Sequence, residues 1–202
     1  MSIKTNKGYK AIYLDIDGVL NYAGCESRCG MYLGIDTKKV KLLKRIVDAT
    51  GAKIVLSSDW KDLFVLHKTA KYQPHHTGKY LVRKLRKQGL YIEDTIPRSF
   101  EWQDRGLAIL EHIKENNIKD YVILDDRYFK GFNDPPLNLH FIKTFDFHGE
   151  EFGGLTERLV PIAIDILNGE KQGIYMDPEL ADFYDIENPI NKEELKELIR
   201  RC

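Results

Sequence analysis

Two aspartates one residue apart, Asp15 and Asp17, close the apolar run Ala11 to Leu14, and Gly18 follows at once. On an extended strand, residues two apart point to one face, so both carboxylates reach the same opening at the strand's end. A glycine there lets the chain turn sharply and brings its backbone close to a ligand. Two further short apolar runs end in polar residues, Lys53 to Ser57 in Ser57-Ser58-Asp59-Trp60 and Tyr121 to Asp125 in Asp125-Asp126-Arg127. Carboxylates are ionised at neutral pH, so such a set can ligate a hard cation and attack an electrophile without a separate base. The plainer alternative for Asp15 and Asp17 is a carboxylate pair that caps a turn.

The elements that must position these residues read as an α/β, Rossmann-like fold with a central parallel sheet flanked by helices. The three short apolar runs have the length of buried strands. Between the first two, Val40, Leu43 and Val47 recur at helical spacing over Asp36 to Thr50, with Asp36 placed to cap the start and Gly51 to close the end. Before the third, Leu107, Leu110 and Ile113 predict one helical face over Gln103 to Asn116. Strand and helix in alternation imply parallel strands, with ligands at their carboxyl ends. A further strand is expected at Leu139 to Phe145 and a helix near Leu155 to Asn168, where Pro161 demands a later start or a kink. Lys61 to Gln88 predicts two helices split at Gln73-Pro74, Gly173 to Asn191 an irregular wrapping, and Lys192 to Arg201 a short terminal helix.

The run Tyr13-Leu-Asp15-Ile-Asp17-Gly18-Val-Leu-Asn21 resembles motif one of the haloacid dehalogenase (HAD) superfamily. Ser57 and the acidic pair Asp125-Asp126 match its motifs two and four in order and spacing. Arg105, twenty residues before Asp125, stands where motif three places a cation; Arg98, Lys79 and Lys84 are the other basic residues that could supply that charge. The resemblance spans roughly Ile12 to Leu167 and implies a phosphatase. In such an enzyme Asp15 is the nucleophile, Asp17 the acid and then the base, and Ser57 with Arg105 holds the phosphoryl oxygens. Asp15, Asp17, Asp125 and Asp126 would supply the Mg²⁺ site, with Asp17 contributing through a backbone carbonyl beside it. An aspartate at the second position of motif one favours phosphoryl over dehalogenase chemistry. Asp59 can orient Arg105 or cap the helix that begins at Lys61, and capping is the reading preferred here.

The cap is expected to be small or absent. Asp15 and Ser57 are 42 residues apart, room for a flap hairpin at Asn21 to Gly34 and one helix. The resemblance therefore implies an open cleft that suits a bulky phosphorylated substrate. From Lys61 to Gln88, eight basic residues face Asp62 alone, net +7, interleaved with Tyr72, Tyr80 and three histidines. Gly18, Ser58, Lys79, Arg83 and Lys84 are accordingly the candidate substrate-binding residues, and a nucleic acid the candidate macromolecular substrate. The competing reading makes Lys79, Arg83 and Lys87 the solvated face of a helix that buries Leu81, Val82 and Leu85. The motifs are similar to the 3′-phosphatase domain of polynucleotide kinase-phosphatases and closest to stand-alone HAD domains grouped with RNA-repair proteins. They depart from the former in Ser-Ser-Asp-Trp at motif two and in the arginine of motif three. No P-loop is present, so no 5′-kinase is expected. A small-metabolite or nucleotide phosphatase and a non-catalytic binding module are the rival functions.

The 202 residues, 43% hydrophobic and 11% aromatic, predict one HAD-like domain over 1–170, a small basic helical insert at 61–98 and an extension at 171–202. No apolar run approaches the ~20 residues of a spanning helix, so no membrane partner is expected. The 31 basic and 31 acidic residues balance, and oligomeric state is left open. Three cysteines, Cys25, Cys29 and Cys202, are too few for a disulfide framework, and the first ten residues lack a signal-peptide core, so the cytoplasm is the expected compartment. Cys25-x3-Cys29 with His75 and His76 invites a zinc reading, but the loose spacing favours incidental loop residues.

Overall fold

The computed structural model of the protein describes residues 8–69, 75–97, 104–170 and 174–175. In chain order they form β1 (Ala11–Leu14), a hairpin of β2 (Arg28–Cys29) and β3 (Tyr32–Leu33), then α1 (Thr37–Thr50) and β4 (Lys53–Leu56). The helices α2 (Trp60–Thr69) and α3 (His76–Arg86) lead to β5 (Ile92–Thr95), and α4 (Arg105–Asn116) to β6 (Tyr121–Asp125). A 3-10 turn at Leu137–His140, β7 (Phe141–Lys143) and α5 (Leu159–Leu167) complete them. Five strands make one parallel sheet in the order β5-β4-β1-β6-β7, an α/β Rossmann-like fold. The chain builds outward from β1 to β4 and β5, then crosses to β6 and β7. The crevice beside β1 is therefore where the strand order reverses.

Strand alternation sorts the two cores. Ile12, Leu14, Ile54, Leu56, Val122 and Leu124 join one core with α1, α3 and α5, whereas Ala11, Tyr13, Val55, Tyr121 and Ile123 join the other with α4. Asp36 caps α1 through its side chain on the Lys38 N–H, and Gly51 closes it in the left-handed conformation, as the sequence predicts. Pro161 is the third residue of α5, where a helical N–H has no partner to lose, so the helix starts late and does not kink. Among the described residues, no helix is long and apolar enough to cross a membrane.

Three expectations change. The strand foreseen at Leu139 begins at Phe141, because a 3-10 turn brings the His140 ring to stack on Tyr121 at 4.0 Å. The sequence reading has no strand at Ile92–Thr95; as an edge strand with both faces half open, it lacks the apolar run that marks a buried one. With it, α2 and α3 connect two strands of the main sheet, with Leu81 and Leu85 in the core. The buried face of α4 is Arg105, Gly106, Ala108, Ile109 and His112; of the expected face, Leu110 and Ile113 pack half-buried against the same core, while Leu107 is 48% exposed. The wrapping at 173–191 falls outside the described residues except for 174–175, where Tyr175 bridges Ile142, and the terminal helix at 192–201 lies wholly outside them.

Candidate active site

Register and alternation together assemble the site. Leu14 pairs with Leu56 on one side and Leu124 on the other, so the next positions, Asp15, Ser57 and Asp125, stand side by side. All three share the parity of Tyr13, Val55 and Ile123 and so face the layer that holds α4. Ladder bonds hold them there: Asp15 N–H donates to Leu124 O at 3.0 Å, Ser57 N–H to Leu14 O at 3.0 Å, and Thr144 N–H to Asp125 O at 2.9 Å. From α4, the Arg105 guanidinium reaches back over the ends of the strands. Its Nη1 lies 2.7 Å from Asp125 Oδ2 and 3.0 Å from Asp15 Oδ2, its Nη2 3.5 Å from Asp59 Oδ1, and its plane 4.0 Å from the centre of the Phe129 ring.

One oxygen from each of Asp15, Asp125 and Asp126 lies within 4.8 Å of the others. Burial and the neighbouring Asp15 charge push the Asp125 carboxyl well above its ordinary range, against the pull of Arg105. The same causes push Asp126 up to about 6. Burial opposes the charge on Arg105, but Asp125 and Asp15 outweigh it and raise its pKa. Lys143, at the end of β7, donates to the carbonyls of Asp126 and Thr144, and burial lowers its pKa to about 8. Three clustered carboxylates with this little countercharge are the donor set that a hard, oxygen-seeking divalent cation satisfies. Beside them the Ser57 hydroxyl is fully buried and has no partner, an orphan that a ligand oxygen would complete.

Asp17 stands apart from that group. It is exposed, and both its oxygens are held, Oδ1 by Asn21 Nδ2 at 2.7 Å and Oδ2 by the Trp60 indole N–H at 2.9 Å. The Asn21 side-chain Oδ1 accepts the Gly18 N–H at 2.9 Å, which ties the turn to the carboxylate. Gly18 has φ +71°, and a Cβ there would meet Asp126 Cγ at 2.4 Å, so the turn needs glycine for both conformation and space. Ser58 is nearly fully buried and accepts the Trp60 N–H at 3.3 Å. It, and not Asp59 as preferred from the sequence, supplies the side-chain bond at the start of α2; Asp59 turns to Arg105.

Lys79 and Arg83 lie on the exposed face of α3, outside the carboxylate group, and Lys84 Nζ donates to Ile35 O at 2.7 Å. Arg98, the other named source of motif-three charge, falls outside the described residues. Cys25 and Cys29 are buried while the His75 and His76 rings stack on each other, and among the described residues these four form no metal-binding group. The sequence reading missed three contributors, Lys143, Asn21 and Trp60. For Lys143 the signal is a lysine inside the apolar stretch Leu139 to Phe145; for the other two only the fold supplies the contact.

A cation at this cluster would compete with a proton, which gives a direct test. Asp126 holds its proton up to about pH 6 when folded, against 3.8 ordinarily, so between those values the folded chain binds more protons than the unfolded one. Its contribution therefore lowers the stability of the metal-free protein as pH rises through that window. A cation on the ionised cluster stabilises above it by mass action. Millimolar Mg²⁺ is expected to raise Tm clearly at pH 7.5, with the increment fading as pH falls through about 6. Thermal melts with Mg²⁺ and with chelator check this, and a Tm indifferent to Mg²⁺ at pH 7.5 would remove the cation from the site.

Residues 11–152 match the sequence profile of a family described as the HAD domain in Swiss Army Knife RNA repair proteins. No curated protein and no solved structure matches the chain. The match takes in all three strand-end motifs, Arg105, the hairpin and Lys143, and covers most of the chain. The chain belongs to the family of HAD domains of Swiss Army Knife RNA repair proteins.

Proposed function

We propose that the protein is a Mg²⁺-dependent phosphomonoesterase that works through an aspartyl phosphate, with the 3′-phosphate end of an RNA strand as substrate. The observation that carries this reading is the gathering of buried Asp15 and Asp125 with half-buried Asp126 around one point, beside the partnerless hydroxyl of Ser57. Asp15, Asp125 and Asp126 would hold the cation, which when bound offsets the repulsion between the nucleophile and the phosphate and polarises the phosphoryl group.

An Asp15 oxygen attacks phosphorus and the bond from phosphorus to the leaving oxygen breaks. Asp17, in its protonated form, gives its proton to that oxygen. Water then attacks the phosphoryl-Asp15, Asp17 takes the water's proton, and inorganic phosphate leaves with Asp15 restored. Such acid-base assistance contributes roughly 10²- to 10⁴-fold. Asn21 and Trp60, each donating to Asp17, fix its aim while it changes protonation state. Ser57 and Arg105 donate to the phosphoryl oxygens where negative charge spreads.

The substrate class rests on the family's RNA-repair setting and on α3, whose exposed Lys79 and Arg83, with Lys87 at its C-cap, form a basic face. Lys84 is left out because it braces Ile35. Turnover of a 3′-phosphorylated RNA oligonucleotide is expected to exceed that of 3′-mononucleotides and to stop in chelator. Its kcat/KM should fall with salt at a log-log slope of roughly −0.7 per phosphate contacted. Neutralising Lys79, Arg83 and Lys87 together should flatten that slope and leave p-nitrophenyl phosphate turnover in place. Equal rates on mononucleotide and oligonucleotide, with no salt dependence, would make a small phosphate ester the substrate.

A further inference from the structure

We propose that the β2–β3 hairpin is a base-stacking arm, with Tyr32 as the platform for an unpaired base near the 3′ end of the bound strand. This rests on the proposed RNA substrate and adds a residue and a preference to it: single-stranded or frayed ends over blunt duplex.

The hairpin is built to hold up an exposed tip. Its loop is Gly30-Met31, with Gly30 at φ +63°, the pattern of a tight two-residue turn with glycine in first position. The base is fixed on several sides. Gly34 N–H donates to Ser27 O at 2.8 Å, Asp36 N–H to Leu20 O at 2.8 Å, and the Ile35 N–H to the Tyr80 hydroxyl at 2.9 Å. Lys84 adds its bond to Ile35 O, and Cys25 and Cys29 are buried beneath.

On this rigid base, Tyr32 is 73% exposed and Met31 97% exposed, the two most exposed large apolar side chains among the described residues. A short, braced hairpin that gives its outermost positions to a tyrosine and a methionine presents apolar surface with no protein layer over it.

Position and charge name the occupant. The hairpin lies between Asp17 to Asn21 and the start of α1, so it rises from the carboxyl edge of the sheet where the carboxylates gather. Two of its braces, Tyr80 and Lys84, come from α3, the helix that turns Lys79 and Arg83 to solvent. An aromatic face joined to a basic helix is the pairing that single strands recognise, with bases on rings and phosphates on cations. Within a duplex every base is already stacked on its neighbours and only the outer face of the terminal pair is free, so a single strand offers Tyr32 more faces.

The test compares Tyr32→Ala and Tyr32→Trp with the wild type on a 3′-phosphorylated RNA hexamer carrying 2-aminopurine at one of its last three positions. Stacking on an aromatic side chain is worth enough that its loss is expected to raise KM roughly five- to a hundredfold. Tyr32→Ala should show that rise and lose the fluorescence quench seen with wild type, while Tyr32→Trp retains both. The salt slope should stay that of wild type, because no phosphate contact is lost, and turnover of p-nitrophenyl phosphate reports an intact centre. An unchanged KM and quench in Tyr32→Ala would overturn the proposal, as would a loss that tryptophan fails to rescue. If wild-type protein quenches the hexamer but does not release its phosphate, the stacking arm stands and the RNA phosphatase reading falls. If it releases phosphate with no quench at any of the three positions, the reverse holds.

Discussion

Asp15→Asn is expected to abolish phosphate release, by roughly 10⁴-fold or more, the scale on which removal of a nucleophile from an organised site is felt. The amide has the carboxylate's shape but neither its charge nor its nucleophilicity. The Asp15 backbone bond to Leu124 O does not depend on the side chain, and an amide oxygen at 15 can still accept the Ile16 N–H that Oδ1 now accepts at 2.8 Å. The variant should therefore fold, with one less anion among the three carboxylates. Beryllofluoride, which caps a reactive carboxylate as a phosphoryl mimic, should form an adduct with wild type that protects it against heat and give none with Asp15→Asn. Turnover retained in the purified variant would assign the nucleophile elsewhere.

Arg105→Gln is expected to cost both stability and activity, and Mg²⁺ is expected to return much of the first and little of the second. The guanidinium is 7% exposed and bridges Asp15 and Asp125 with a single nitrogen, so its loss leaves two buried carboxylates facing each other and Asp126. Breaking a buried ion pair from one side costs about 3–5 kcal/mol. A divalent cation on the same carboxylates replaces the missing charge, so the Mg²⁺-induced rise in Tm should be larger in the variant than in wild type. Activity should stay low in saturating Mg²⁺, because the donor proposed for the phosphoryl oxygens is gone. Arg105→Lys should recover stability more than rate, since an ammonium carries the charge but not the fork that reaches Asp15, Asp125 and Asp59 at once. Chemical denaturation and steady-state rates with and without Mg²⁺ check the split; a variant as stable as wild type in chelator would remove the bridge from the account.

The two variants also mark how far sequence reading reaches. Asp15 was legible because it ends a four-residue apolar strand whose length and punctuation leave one register. Ser57 and Asp125 were legible for the same reason, and parallel pairing then had to bring the three ends together. Arg105 was placed by motif order alone. The helical face read from Leu107, Leu110 and Ile113 would have turned it away from the sheet, because the stripe α4 buries, Arg105, Gly106, Ala108, Ile109 and His112, includes two polar side chains. A periodicity count sees apolar residues only. It cannot know that Arg105 is neutralised by Asp15 and Asp125, or that His112 Nδ1 pairs with the Tyr13 hydroxyl at 3.0 Å.

By itself, the sequence determined the α/β class, the three strand ends that carry Asp15, Ser57 and Asp125, both caps of α1 and the flap hairpin. Each follows from interactions that are local, or periodic along one element: an apolar run of strand length, an aspartate before a helix, a glycine where φ must be positive. Only the tertiary structure decided the rotation of α4, the approach of Lys143 to Asp126, the hold of Asn21 and Trp60 on Asp17, and the use of α2 and α3 to connect β4 with β5. Those depend on which charges meet in a buried space, and the energy that makes a buried arginine or lysine favourable resides in partners up to a hundred residues away in the chain.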